Sequence, residues 1–322
     1  MPFEVRIATR NYRFENHAKE SLLESALNAG IPVSYGCSNG NCGDCRARLV
    51  SGGIQAIRHS DHVFSAAERD SGAFLMCTHR ADSDLVIEAD IATDSSVIPH
   101  QQIEVRVRKT NRINDRIATL DVQTPRTRRL RFLAGQWAHL ETPDGTHFEL
   151  PIASCPCDDR NLQFHVPLDT ASRLMECRKG QTLALSGPLG EFVLVHPSSR
   201  NRLMLGSGLG FPPLKSIIEH SLSLQPETDI DLVWLEPPGQ PHYMENHLRM
   251  WDDVLDNFTL HRIQCVAMAG EQPGEEFLRT IEKLARADLD IYVAGPGQLL
   301  DLVNAELARL GIPDTWVKTC IA

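Results

Sequence analysis

The sequence predicts a multidomain protein of mixed α+β and α/β class. A small α+β unit is expected over residues 1–95, a small antiparallel β-barrel over 100–198, and a doubly wound parallel-sheet domain of the nucleotide-binding type over 200–322. Three observations lead there. Three cysteines crowd one glycine-rich loop, "CSNGNCGDC". From residue 102 onward, short alternating runs are separated by Gly, Pro and Asp. After residue 200, strand-like and helix-like segments take turns. At 322 residues the chain is long enough to bury two or three separate cores.

In the first unit, "FEVRIAT" and "NYRFEN" alternate as strands about a turn. "HAKESLLESALNAG" places Leu22, Leu23, Ala26 and Leu27 on one helical face, and Gly30 and Pro32 end the helix. "CRARLVSG" and "DLVIEAD" supply further strands. Cys37, Cys42, Cys45 and Cys77 give the pattern C-x4-C-x2-C-x31-C, the plant-type spacing for a 2Fe-2S cluster. Four thiolates around two irons and two sulfides carry net negative charge, so backbone N–H groups must come close to sulfur. The glycines between the cysteines permit that approach. Zinc knuckles pair two short cysteine units instead. Cys77-x-His79 lacks the second Cys/His pair of a Rieske site, so His79 is expected to be a neighbour rather than a ligand. The unit resembles the plant-type ferredoxin module over about residues 1–92, and the polar, proline-containing "DSSVIPHQQ" reads as a linker.

The barrel is read from "IEVRVRKTN", "IATLDVQTP", "RRLRFLAGQWAHLETPDG", "LQFHVPL" and "QTLALSGPLGEFVLV". In the last unit, "NRLMLGSG", "DIDLVWL", "TLHRIQCVA" and "DIYVAGP" are strands. "PPLKSIIEHSL", "ENHLRMW", "EEFLRTIEKLAR" and "GQLLDLVNAELARL" are helices. In "GSGLGFPP" a glycine-rich turn joins strand to helix, so Gly208, Gly210 and Pro213 would bring a helix N-terminus toward a diphosphate. Glu236 closes the next strand, where it reads either as a solvated strand-end residue or as a carboxylate that accepts ribose hydroxyls and repels a 2′-phosphate, the second reading favouring NADH over NADPH.

Composition removes other classes. The net charge is −10, with only the middle third positive, which argues against nucleic-acid binding. No apolar run is long enough to cross a bilayer. The N-terminus lacks a basic start followed by an apolar segment, so a cytoplasmic location is expected. Nine cysteines in such a chain point to metal or redox chemistry rather than to disulfides. Cys155, Cys157, Cys177, Cys265 and Cys320 have no ligand spacing and read as buried thiols, and the arginines of "PRTRRLRF" as a solvated strand face. His59 and His62 read as incidental loop residues. No Ser/His/Asp or paired-carboxylate arrangement singles out a catalytic residue.

Taken together with the cysteine loop, "RFLAGQW", "LSGPLGEFVL", "GSGLGFPPL" and "YVAGPG" resemble the reductase components of bacterial oxygenases, members of the ferredoxin–NADP reductase superfamily. The resemblance implies hydride transfer from a nicotinamide to FAD. Single electrons would then pass through a 2Fe-2S cluster to a partner oxygenase or hydroxylase component. It also implies flavin contacts at Ile152, Ala153, Ser154 and Ser172, and nicotinamide contacts at Gly208, Gly210, Gly295 and Pro296.

The departures from the family gather at cofactor positions. Phe148, Leu150 and Pro151 stand where the flavin motif has arginine, tyrosine and serine, and Asp169 replaces the glycine of a Gly-x-x-Ser turn. Ala294 replaces the cysteine of Cys-Gly-Pro, and the terminal aromatic is unmatched, Trp316 lying six residues from the end. A lost Arg–phosphate hydrogen bond alone costs about 1.5–3 kcal/mol. Two readings follow. One is a working reductase whose altered pocket holds FAD through backbone groups, or holds FMN. The other is a flavin-less ferredoxin-type carrier or docking subunit on a degenerate reductase scaffold.

Overall fold

A computed structural model of the chain describes residues 2–9, 11–91, 98, 100–125, 128–196, 198–224, 227–236, 243–264 and 275–322. Most of the linker expected at 94–102, and Cys265, fall outside these residues.

The first sheet is built from β1 (Phe3–Ile7), β2 (Tyr12–Asn16), β3 (Arg46–Ser51), β5 (Ala73–Leu75) and β7 (Leu85–Ala89) in the order β2-β1-β7-β3-β5. Only β1 and β7 run parallel. A two-stranded ribbon pairs β4 (Ile54–Ala56) with β6 (His79–Ala81). Two short helices, α1 (Leu22–Asn28) and α2 (Ala66–Asp70), each begin with a reciprocal cap, Ser21 with Glu24 and Ser65 with Glu68. Such caps satisfy N–H groups that a helix this short would otherwise leave orphaned. Leu22, Leu23 and Ala26 of α1 are buried against Val5, Ile7 and Ile87, which holds the helix under the cluster loop.

The second sheet is antiparallel. It comprises β8 (Gln101–Arg112), β9 (Ile117–Gln123), β10 (Trp137–Glu141), β11 (His147–Pro151), β12 (Asn161–Pro167) and β13 (Thr182–Leu189), in the order β11-β10-β13-β8-β9-β12. A bridge between Ile152 and Phe164 joins the two edges, so the sheet closes into a barrel around Val105, Leu120, Leu140, Phe164 and Leu185. Residues 128–136, expected as strand, form no ladder; the Arg131 side chain and the Gly135 N–H reach the neighbouring units.

The third sheet is parallel throughout, with β14 (Arg202–Ser207), β15 (Ile230–Glu236), β16 (Phe258–Gln264), β17 (Asp290–Gly295) and β18 (Val317–Ile321) in the order β16-β15-β14-β17-β18. Side chains alternate between its faces. Met204, Leu232 and Trp234 meet α3 (Phe211–Leu224) and α4 (Glu245–Val254). Leu203, Val233 and Ile291 meet α5 (Glu275–Leu284) and α6 (Gly297–Arg309). Helices on both faces explain why the strands are almost continuously apolar. Among the described residues, no helix is long and apolar enough to cross a membrane.

Barrel and parallel sheet share an apolar seam in which Ala134, Phe192 and Leu194 join Phe211, Leu214 and Ile217. Two neutral histidines lie in or beside it. His165 Nε2 meets the Gln163 carbonyl oxygen at 3.3 Å and Nδ1 meets the Tyr243 hydroxyl at 3.1 Å, an arrangement that suits the tautomer protonated on Nε2. His220 Nδ1 lies 3.5 Å from Cys155 Sγ. Cys155 and Cys157 correct the free-thiol expectation: they form a disulfide, the single residue between them bringing their Cα atoms to 5.2 Å.

Burial lowers the pKa of both His165 and His220 to about 3. The unfolded chain takes up protons at these sites below about pH 6.5 and the folded chain does not. Each imidazole therefore contributes stability that is complete above that pH and is lost as pH falls toward 3. Melting followed by circular dichroism should show His165→Gln losing less stability than wild type between pH 6.5 and pH 5, by about 1.4 kcal/mol per pH unit. Parallel slopes would refute the assignment.

Candidate metal centre and interdomain crevice

The cluster loop, residues 37–45, runs between α1 and β3, and Cys77 comes from the turn after β5. The four thiols act most directly on one another in two pairs, Cys37 with Cys42 and Cys45 with Cys77. Among the described residues no three His, Cys, Asp or Glu side chains close on a point suited to one ion. Two pairs are the arrangement that two irons require. Cys37 Sγ accepts N–H bonds from Asn39 at 3.5 Å and from Asn41 and Cys42 at 3.3 Å, while Cys42 Sγ accepts from Asp44 at 3.4 Å. Burial opposes ionisation of Cys37, but these N–H groups outweigh it and hold the thiol below its usual range. Cys77 is lowered too, chiefly by the Cys45 thiol, while burial raises Cys42, and Cys77 together with burial raises Cys45. The residues present therefore fit a cluster.

Gly43 shows why the loop composition matters. Its φ is +84°, and a Cβ there would stand 2.5 Å from the His62 ring. His62, read from sequence as incidental, packs on the loop and donates its backbone N–H to Gly40 O at 3.1 Å. His79 lies beside Cys77, its Nδ1 3.0 Å from both Leu75 O and Thr78 Oγ1.

A crevice of about 530 Å³ opens between barrel and parallel sheet at the carboxyl ends of β14, β15 and β17. The order of the strands reverses at β14, the position where open α/β sheets bind nucleotides. Gly208, Glu236 and Pro296 line it, opposite Arg116, Leu168 and Asp169 of the barrel. A Cβ at Gly208 would meet nothing within 4 Å, so this backbone is open to a ligand. Glu236 is 1% exposed, and among the described residues its Oε1 has no hydrogen-bond partner. Its Oε2 is 3.9 Å from Arg116. Burial raises the Glu236 pKa against the Tyr243 N–H and Arg116. A buried acceptor left over in a nucleotide crevice suits a ligand hydroxyl.

Other expected contacts stand behind the crevice. Gly210 supports it, since a Cβ there would sit 2.0 Å from Ala294 O. Pro213 is buried in the first turn of α3, and Gly295 accepts the N–H of Ala322 at 3.0 Å, which draws the chain end along β17. Ser172 is exposed at the start of a short 3-10 turn, outside the crevice lining.

Ile152, Ala153 and Ser154 are not brought to the crevice. Ile152 N donates to Gln136 O at 3.0 Å and Ala153 N to Gln163 O at 2.8 Å. Ala153 O accepts from Lys215 Nζ at 3.1 Å, and Ser154 O from Ser216 Oγ at 2.8 Å. The physical reason lies upstream, where Leu150 enters the barrel core and Phe148 packs against it. Trp316 lies under Arg200, whose guanidinium carbon is 3.3 Å from the ring centroid.

Sequence reasoning missed Arg116, which follows an Asx turn in which Asn114 Oδ1 accepts from the N–H groups of Arg116 and Ile117. "NRINDR" signals the turn but not what it faces. Arg129 and Arg131 correct the solvated-face expectation. Arg129 lies 3.9 Å from Asp159, and Arg131 reaches Ser34 of the cluster unit.

Residues 5–82 match the 2Fe-2S iron-sulfur cluster binding domain family. The chain is 26% identical to a CDP-6-deoxy-L-threo-D-glycero-4-hexulose-3-dehydrase reductase of Yersinia pestis, over 76% of this chain and 75% of that one. It is 23% identical to reductase component 2 of a Comamonas terephthalate 1,2-dioxygenase, over 97% and 95%. Among solved structures, an Amycolatopsis cytochrome P450 reductase superposes over 98% of both chains, with a TM-score of 0.60 at 20% identity.

Cys77→Ser should leave the parallel-sheet domain folded and reduce iron and acid-labile sulfide to a small fraction of wild type. The visible absorption of the cluster should disappear with them. Full retention of iron would show that another residue completes the ligand set.

Proposed function

We propose that this protein is an electron-transfer reductase that draws electrons from a nicotinamide nucleotide and delivers them through its 2Fe-2S domain to a partner oxygenase or hydroxylase component. One observation carries the reading. A single chain joins a four-thiol loop, its sulfurs supplied with N–H donors, to a nucleotide crevice in which a buried carboxylate oxygen waits for a hydroxyl. The names of the relatives agree with it, since they are reductases of oxygenases and of a dehydrase.

The reading divides the work by domain: residues 1–95 hold the cluster, 100–198 face a flavin, and 200–322 face the nicotinamide nucleotide. When bound, a flavin takes up two electrons as hydride and releases them singly, which a one-electron cluster requires. Cys37, Cys42, Cys45 and Cys77 hold the iron. Glu236 accepts a ribose hydroxyl and repels a 2′-phosphate, which makes NADH the donor. Gly208 lets the nucleotide lie against the backbone, with Gly210, Pro213, Gly295 and Pro296 shaping the turn beneath it. Among the described residues Arg116 is the cation that lines the crevice, and it takes the phosphate charge that an arginine at position 148 would otherwise meet. Ile152, Ala153 and Ser154 set the seam behind the flavin face.

A specific observation favours the second reading, a flavin-less carrier: Phe148 and Leu150 are taken up by the barrel core, and Asp169 in the crevice lining opposes a diphosphate. The two are separated by purifying the protein anaerobically, releasing its cofactors with acid, and measuring flavin against iron. About one flavin per two irons is the expected result. Iron and sulfide without flavin, and no uptake on titration with FAD or FMN, would leave the carrier reading. In flavin-loaded protein, Glu236→Ala should raise the KM for NADH about tenfold or more and shrink the preference over NADPH, as loss of a charged hydrogen bond of ~1.5–3 kcal/mol requires. An unchanged preference would remove Glu236 from nucleotide recognition.

A further inference from the structure

We propose that Arg131, a barrel residue, tunes the reduction potential of the iron–sulfur centre in the neighbouring domain by placing its guanidinium charge beside the cluster loop. The proposal rests on the cluster alone and is independent of whether flavin is bound.

Arg131 belongs to the ladder-free segment 128–136. Gln101 clamps its backbone from both sides: Arg131 N donates to Gln101 Oε1 at 3.1 Å, and Gln101 Nε2 donates to Arg131 O at 2.9 Å. From that fixed point the side chain crosses the domain boundary. Its Nη2 donates to Ser34 Oγ at 3.2 Å, and its guanidinium carbon lies 6.0 Å from the centroid of the Tyr35 ring. Ser34 and Tyr35 lead directly into Gly36 and the ligand Cys37. Asp44 and Cys42, on the loop itself, also act on the charge of Arg131.

The remaining charges of the seam are already committed. Asp159 accepts a hydrogen bond from the Tyr35 hydroxyl and lies 3.9 Å from Arg129. Among the described residues Arg131 forms no ion pair of its own, so its charge is left to the loop. A cluster with four thiolates is already negative and gains a further charge on reduction. A half-buried cation next to it favours the reduced form, because Coulomb attraction weakens little in a partly desolvated seam. Burial lowers the pKa of Arg131, with Tyr35, Asp44 and Cys42 acting in the opposite sense.

The test is a mediated redox titration of the anaerobically purified full chain, followed by the electron paramagnetic resonance of the reduced cluster. Arg131→Gln should make the cluster about tenfold harder to reduce, a fall of about 59 mV for one electron. Arg131→Lys, which keeps the charge, should remain within about threefold of wild type. Ser34→Ala removes only the anchor and should shift the potential in the same direction as Arg131→Gln, by about threefold. An unchanged potential in Arg131→Gln overturns the proposal. So does an equal fall in Arg131→Gln and Arg131→Lys, which would make Arg131 a packing residue. Should Arg131→Gln fail to accumulate with iron, Ser34→Ala decides, an unchanged potential again overturning it. Mediators supply the electrons, so absence of flavin leaves the outcome readable, whereas absence of a cluster would show as no signal in wild type.

Discussion

Residues 128–136 have to face two neighbours at once, and the relation between the cluster and the crevice depends on that constraint. One end of the segment reaches the cluster unit, through Arg131 to Ser34 and through Arg129 to the Asp159 that binds Tyr35. The other end meets the parallel-sheet unit. Ala134 enters the apolar seam, the Gly135 N–H lies 3.4 Å from Ser216 Oγ, and a Cβ on Gly135 would stand 2.9 Å from Ile217 Cδ1. A strand in this place would have spent its N–H and C=O groups on a ladder. Here Gln136 holds the fold of the segment, accepting from Leu133 N at 2.7 Å and donating to Gly190 O at 3.1 Å. The Arg131 guanidinium and the Gly135 N–H are thereby left to reach the neighbouring units.

The two seams differ in physical character. The one beside the parallel sheet is apolar with a few committed polar groups: Lys215 pairs with Glu219 at 2.7 Å and donates to Ala153 O, while His165 and His220 stay neutral. Such a seam resists water and fixes the crevice walls. The one beside the cluster is ionic and aromatic, with Tyr35, Asp159, Arg129 and Arg131 in mutual reach. Burial raises the Asp159 pKa, against the Tyr35 hydroxyl and Arg129. Charge at this second seam lies beside the segment that leads into the four-thiol loop.

The crevice carries the same tension that the sequence showed. Its sheet side has what a nucleotide needs: open backbone at Gly208 and an unpartnered oxygen on Glu236. Its barrel side has lost the usual polar residues. Leu150 belongs to the barrel interior with Phe148 packed against it, and Asp169 lines the crevice together with Arg116. Arg116 comes from the turn between β8 and β9, a part of the chain to which the resemblance assigned no role.

The sequence by itself determined the iron-sulfur class of the first unit and the three kinds of sheet, because both are written in short-range pattern. Four cysteines at fixed spacing, alternation at period two, and strands exchanging with helices are all legible within a few tens of residues. Gly208, Glu236 and Pro296 were legible for the same reason, each standing at the end of a recognisable strand. Only the tertiary structure decided what those elements face. It turned "RRLRF" from a solvated strand into a two-sided junction, packed His62 onto the cluster loop, and set Arg116 across from Glu236. It also withdrew Ile152, Ala153 and Ser154 into a seam and joined Cys155 to Cys157. An arginine on a strand edge and an arginine on a domain seam have the same local sequence. They are told apart by the partner that folding delivers from far along the chain.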